Sequence, residues 1–149
     1  MKTTADLMIV DDNFRARQAL VAYLSQQEGI RIAAQASDGL QAIGLIAAQT
    51  PDLILLDVEM PAMDGIEATR LIKQRWPWIK VIVLTLYPNH KARALAAGAD
   101  AFLVKGGPLD EMMSAIRRLA ARGAGQLHLR ADRSRSGPGA AGNPSPQFA

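Results

Sequence analysis

The sequence has no cysteine and only two histidines, His90 and His128, which leaves no material for a disulfide framework, a thiolate metal site or a histidine-built zinc centre. Chemistry must rest on oxygen and amine groups. No apolar run approaches the roughly 20 residues that a membrane helix needs. The opening MKTTADLMIVDD meets acidic residues too early for a secretory signal. A soluble, cytoplasmic protein with no membrane contact is expected. The folded part also lacks a charge excess, despite a net charge of +3. Met1 to Ala121 carries 13 Lys plus Arg against 13 Asp plus Glu, so the excess lies in Arg122, Arg130, Arg133 and Arg135 against Asp132. Duplex recognition needs several phosphate contacts presented together by an ordered element, so nucleic acid is not the expected partner of this chain alone.

What is present suits one domain: 149 residues, 49% of them hydrophobic. Short apolar runs recur at Leu7 to Val10, Ile30 to Ala36, Leu53 to Leu56, Val81 to Leu84 and Ala101 to Val104, and read as buried strands. Between and after them, helical spacing covers Phe14 to Gln27, Gly39 to Gln49, Ile66 to Arg75, His90 to Ala97 and Leu109 to Ala121. The alternation predicts an α/β fold, a doubly wound five-stranded parallel sheet with helices on both faces. Gly29, Ser37 or Asp38, Pro51, Pro77 and Gly98 mark the expected boundaries. Leu109, Met112, Met113, Ile116 and Leu119 form an apolar stripe suited to core packing. One domain over 1–122 is expected, followed by a Gly/Pro/Ser/Arg-rich disordered tail over 123–149. Within the tail, Gly137, Gly139 and Gly142 satisfy a dinucleotide-binding spacing, but no strand precedes them and no helix follows. Asn143, Pro144 and Ser145 fail as a glycosylation signal because proline holds the middle place.

In an open parallel sheet, ligands bind beyond the carboxyl ends of the strands. The expected first strand runs into Asp11 and Asp12, the third into Asp57, the fourth into Thr85 and the fifth into Lys105. Singly, each has a modest explanation: Asp11 or Asp12 as a helix cap, Thr85 as a partner for loop backbone, Lys105 as a solvated charge. Together, three carboxylates at one edge repel one another unless a cation joins them. Hard oxygen donors without His or Cys favour Mg²⁺, which commonly joins one or two carboxylates to a phosphate.

MIVDDN at the first strand, LLDVEMPAMDG around the third, VLTLY at the fourth and GADAFLVKG at the fifth resemble a response-regulator receiver domain of two-component signalling, most like the NarL/FixJ type. The resemblance spans about Leu7 to Arg122 and implies the flavodoxin-like (βα)5 fold. It implies that Asp57 accepts a phosphoryl group from a sensor histidine kinase, a phosphotransfer protein or a small acyl phosphate. Mg²⁺ would be held by Asp12, Asp57 and the backbone carbonyl of Glu59, with Asp11 acting through water. Lys105, the Thr85 hydroxyl and the backbone amides of Val58 and Leu86 would stabilise phosphoryl oxygens. Phe102 matches the family's switch aromatic, and Glu59 and Tyr87 match positions that govern access of hydrolytic water. The switched surface, expected at the fourth helix, fifth strand and fifth helix, would bind a partner or a second copy of the chain.

Departures from the family pattern are Gly106 in place of the proline that often follows the lysine, and Leu86 in place of a small residue after the threonine. A cis peptide after Lys105 is carried as a hypothesis that a trans peptide would remove. No second helical pattern follows the last helix that could serve as a recognition helix, so either a stand-alone receiver or part of a longer DNA-binding regulator is compatible with the sequence. A phosphatase of the haloacid dehalogenase type is the enzymatic alternative. It is disfavoured because such enzymes place an aspartate two residues after the nucleophile, where this chain has Glu59.

Overall fold

The computed structural model describes residues 4–121. Five strands, β1 (Ala5–Val10), β2 (Ile30–Ala36), β3 (Leu53–Leu56), β4 (Lys80–Thr85) and β5 (Ala101–Val104), alternate with helices α1 (Phe14–Leu24), α2 (Gly39–Gln49), α3 (Gly65–Arg75) and α4 (Lys91–Ala96). A last helix, α5, occupies 109–121 of the described residues. All pairings are parallel and the sheet order is β2-β1-β3-β4-β5. This is the parallel sheet that the alternation predicts, in the flavodoxin-like (βα)5 order that the family resemblance implies.

Period-2 geometry divides the strand side chains between two apolar layers. Met8, Val10, Ile54, Leu56, Val81 and Val83 face the layer that also holds Ile46, Ile66, Ile72 and Ala94 from α2, α3 and α4. Leu7, Ile9, Leu53, Leu55, Ile82 and Leu84 face the opposite layer, with Leu24 of α1 and Met112, Met113, Ile116 and Leu119 of α5. Both faces of β3 and β4 are covered, which is why those strands read as unbroken apolar runs. Each fully buried Leu or Ile contributes about 1.5–3 kcal/mol relative to exposure.

Local signals set the helix ends. Asn13, Asp38 and Asp64 cap α1, α2 and α3, each side chain accepting from the backbone amide three residues on. Of the two residues considered for the second cap, Asp38 takes the role. Several element boundaries, and one residue of the last stripe, differ from the sequence expectation. The first helix ends at Leu24 rather than Gln27, with Gly29 in the left-handed region (φ 82°) at the turn into β2. The fourth begins one residue later than expected and is preceded by a 3-10 turn over Pro88–His90, where Pro88 removes a backbone donor. Leu109 opens the α5 stripe but is 52% exposed, while the other four stripe residues are buried. The peptide after Lys105 is trans, and no cis peptide occurs among the described residues; the cis hypothesis is withdrawn. Gly106 has φ 87°, so the turn relies on glycine for its left-handed backbone. The expected tail over 123–149, with His128, its arginines and its glycine motif, lies outside the described residues.

Candidate functional site

The chain reverses direction across the sheet between β1 and β3, which adjoin at the centre while β2 and β4 lie to either side. Such a switch point opens a crevice at the carboxyl ends of the strands. Asp11 and Asp12 follow β1 directly, and Asp57 follows β3. One carboxylate oxygen from each lies within 4.8 Å of the others. Asp11 and Asp57 are buried, whereas Asp12 is exposed at the mouth.

Lys105, one residue past β5, reaches across two strands. Its Nζ donates to Asp11 Oδ2 at 2.7 Å and to Asp57 Oδ2 at 3.1 Å. Burial pushes the Asp57 carboxyl above its ordinary value, the nearby Lys105 charge and hydrogen bond opposing that shift. Burial alone would lower the Lys105 value, but the hydrogen bond to Asp11 and the charges of both carboxylates raise it, so the ammonium form is held. A cation thus already lies between two of the three acids. The all-oxygen donor set, with one acid open to solvent, fits a hard divalent ion that keeps part of its water shell.

The remaining oxygens have distinct partners. Asp11 Oδ1 accepts from the Asn13 amide at 2.9 Å, and Asp57 Oδ1 accepts from the Val58 amide at 2.8 Å. Since Asn13 caps α1, neither Asp11 nor Asp12 is needed for that task. The Val58 amide, expected to face a phosphoryl oxygen, is engaged here by Asp57 itself. Thr85 is fully buried and its Oγ1 accepts a long contact from the Tyr87 amide at 3.4 Å, the loop-backbone role considered for it. Its carbonyl accepts from the Lys105 amide at 2.7 Å, fastening the ends of β4 and β5 together. Leu86 and Tyr87 are exposed beside the crevice. Phe102 is half-buried and packs against the α3/α4 layer. Glu59 lies two residues beyond Asp57 with an exposed side chain bonded to His90.

Sequence reasoning missed three contributors. Gly65 packs on the backbone of Asp57, and its amide donates to the Val58 carbonyl at 2.8 Å. The Asp-Gly pair at the start of α3 was the only available signal. Arg17 donates to the Asp11 carbonyl at 2.6 Å and to Gln35 Oε1 at 3.2 Å, bracing the β1–α1 turn from outside the carboxylate cluster. Ala62, in the loop after Asp57, has φ 67°, an uncommon conformation for a residue with a Cβ.

Known proteins resemble this chain in sequence and in fold. The response regulator GacA of Pseudomonas aeruginosa is 36% identical over 117 residues, covering 77% of this chain and 55% of GacA. VraR of Staphylococcus aureus is 38% identical over 117 residues, 77% of this chain and 56% of VraR. The chain therefore spans about half the length of the curated relatives it matches. Among solved structures, a LuxR-family two-component response regulator from Aurantimonas sp. SI85-9A1 superposes with a TM-score of 0.75 at 30% identity, covering 79% of this chain and 86% of that one. The response regulator TrrA of Thermotoga maritima, solved in complex with Mg²⁺ and BeF, gives 0.72 at 30% identity over 78% and 99%. Residues 7–117 match the response regulator receiver domain, and the chain belongs to that family.

Proposed function

We propose that the chain is the phosphoacceptor of a two-component phosphorelay, with Asp57 as the residue that carries the phosphoryl group. The observation that carries this reading is the pairing of Lys105 with both Asp57 and Asp11 inside a three-carboxylate crevice at the switch point. A nucleophilic carboxylate, a positive charge within reach of its oxygens and a metal-ready acid pair are what transfer to an aspartate requires.

Mg²⁺ would be held by Asp12, Asp57 and the Glu59 carbonyl, with Asp11 acting through water, and would supply charge that offsets the phosphoryl oxygens. TrrA was solved with magnesium and beryllium fluoride, which supports the same ion and a phosphoryl-shaped group here. One Asp57 carboxylate oxygen attacks phosphorus as the bond to the donor, a phosphohistidine nitrogen or an acyl phosphate oxygen, breaks. Lys105 exchanges a carboxylate contact for a phosphoryl oxygen. The Thr85 hydroxyl and the Val58 and Leu86 amides donate to the other oxygens. Thr85 leaves its long contact with Tyr87 to do so, and half-buried Phe102 follows the space it vacates, changing the surface formed by α4, β5 and α5.

The donor is a sensor histidine kinase or phosphotransfer protein, a class of partner that family membership supports. The output is contact with a partner or a second copy of the chain. No helix among the described residues is long and apolar enough to cross a membrane, and we assign the protein to the cytoplasm. Residues 1–122 are the receiver unit in this reading.

Acetyl phosphate and Mg²⁺ provide the test, read by intact mass. The native chain gains one phosphate and Asp57→Asn gains none. A native chain that stays unmodified, or an Asn variant modified equally at the same site, overturns the proposal.

A further inference from the structure

Glu59 follows Asp57 by two residues and Tyr87 follows Thr85 by two, so their loops leave adjacent strands and border the crevice from neighbouring sides. A side-chain bridge joins these loops. His90 Nε2 lies 3.1 Å from Glu59 Oε2, and Arg93 Nη1 lies 3.3 Å from His90 Nδ1. An arginine only donates, so Nδ1 accepts, and the single ring proton of the neutral imidazole sits on Nε2, aimed at Glu59. The order of donation is therefore Arg93 to His90 to Glu59. The edge-on Tyr87 ring, 6.1 Å from the imidazole centroid at 86°, braces the same histidine. His90 is 12% exposed against 58% for Glu59, so an anchored, shielded donor holds an otherwise solvated carboxylate.

Building on the phosphoacceptor reading, we propose that Arg93, His90 and Glu59 form a tether across the mouth of the site that prolongs the Asp57 phosphate, with His90 as the positioning residue. In hydrolysis, water adds its oxygen to phosphorus, the bond between phosphorus and the Asp57 oxygen breaks, the carboxylate is regenerated, and the proton leaves with inorganic phosphate. On this proposal the attacking water enters between the two tethered loops. With the bridge intact, the Glu59 carboxylate is drawn toward α4 and the loops stay together. Without it, the loops part and Glu59 is free to accompany the incoming water. The bridge is one partly exposed hydrogen bond, so its loss should speed hydrolysis by about threefold.

The test loads the 149-residue chain with acetyl phosphate and Mg²⁺, removes the donor and follows the decay of the phosphorylated mass. His90→Phe should decay about threefold faster than native. His90→Gln, which keeps an N–H toward Glu59 and an acceptor toward Arg93, should restore the native rate. Arg93→Ala, a change at an exposed residue, should move the rate in the same direction as His90→Phe. In a Glu59→Ala background, His90→Phe should have no further effect, an outcome that a purely structural role for His90 would not give. Equal decay of native and His90→Phe, failure of Gln to rescue, or an undiminished effect without Glu59 overturns the tether alone. A native chain that takes up no phosphate overturns the phosphoacceptor reading and the tether with it.

Discussion

Gly65 and Asp57 are in backbone contact: a methyl group added at Gly65 would overlap the Asp57 carbonyl. The loop after β3 therefore returns beneath its own acid before α3 begins, and the Gly65 amide secures it to Val58. Since the obstruction is backbone rather than a flexible side chain, relief requires moving the acid. Gly65→Ala should cost about 3 kcal/mol in urea denaturation and should also slow phosphate loading in the fraction that folds.

Burial holds the Asp57 carboxyl above its ordinary value of 3.8, with Lys105 opposing. The folded chain then binds this proton more tightly than the unfolded chain does. Its contribution favours folding below the ordinary value and declines as pH rises through the elevated one. Asp57→Asn removes the ionised form and its desolvation. In EDTA the variant should melt above the native protein at pH 7, and the gap should narrow as the pH approaches 4; a constant gap would contradict the assignment of burial as the dominant cause.

Asp12 separates metal binding from folding, because it is the exposed member of the cluster. Asp12→Ala should change stability in EDTA by no more than about 0.5 kcal/mol. The native chain should gain about 2.7 kcal/mol when Mg²⁺ is at a hundredfold its Kd, and the variant should lose most of that gain. Thermal melts across a magnesium titration measure both quantities.

Lys105 is the counter-charge to two buried carboxylates in the metal-free protein. Lys105→Ala leaves Asp11 and Asp57 facing each other with no cation between them. A loss of about 2 kcal/mol is expected in EDTA, and Mg²⁺ should recover a larger share of stability than in the native chain. Urea denaturation with and without the ion checks the difference.

Strand positions were legible because parallel strands covered on both faces leave unbroken apolar runs, as Leu53–Leu56 does. The strand-end acids, Thr85 and Lys105 were legible for a related reason: polar residues that terminate such runs have only one edge of the sheet to occupy. Contacts created by loop return were not legible. Nothing local to Glu59 announces His90, which is 31 residues away and comes near only because β3 and β4 are neighbours. Asn13 does not stand out in the sequence as the α1 cap, because the two acids immediately before it suit the role equally by type. The backbone settles the choice, since the Asn13 side chain is the one that reaches the Ala16 amide. Leu109 satisfied the helical stripe yet lies outward, because periodicity does not say where a helix meets the end of its sheet.

The bond from Lys105 to Asp11 joins residues 94 positions apart. On a translating ribosome, all three acids emerge well before the lysine that balances them, and that lysine reaches its place only when β5 has paired along β4. A nascent or half-folded chain therefore carries Asp57 without its counter-charge. On the proposed phosphoacceptor reading, competence to be phosphorylated arrives with the last strand, and a phosphoryl donor presented with immature chains would meet Asp57 in an unfinished pocket.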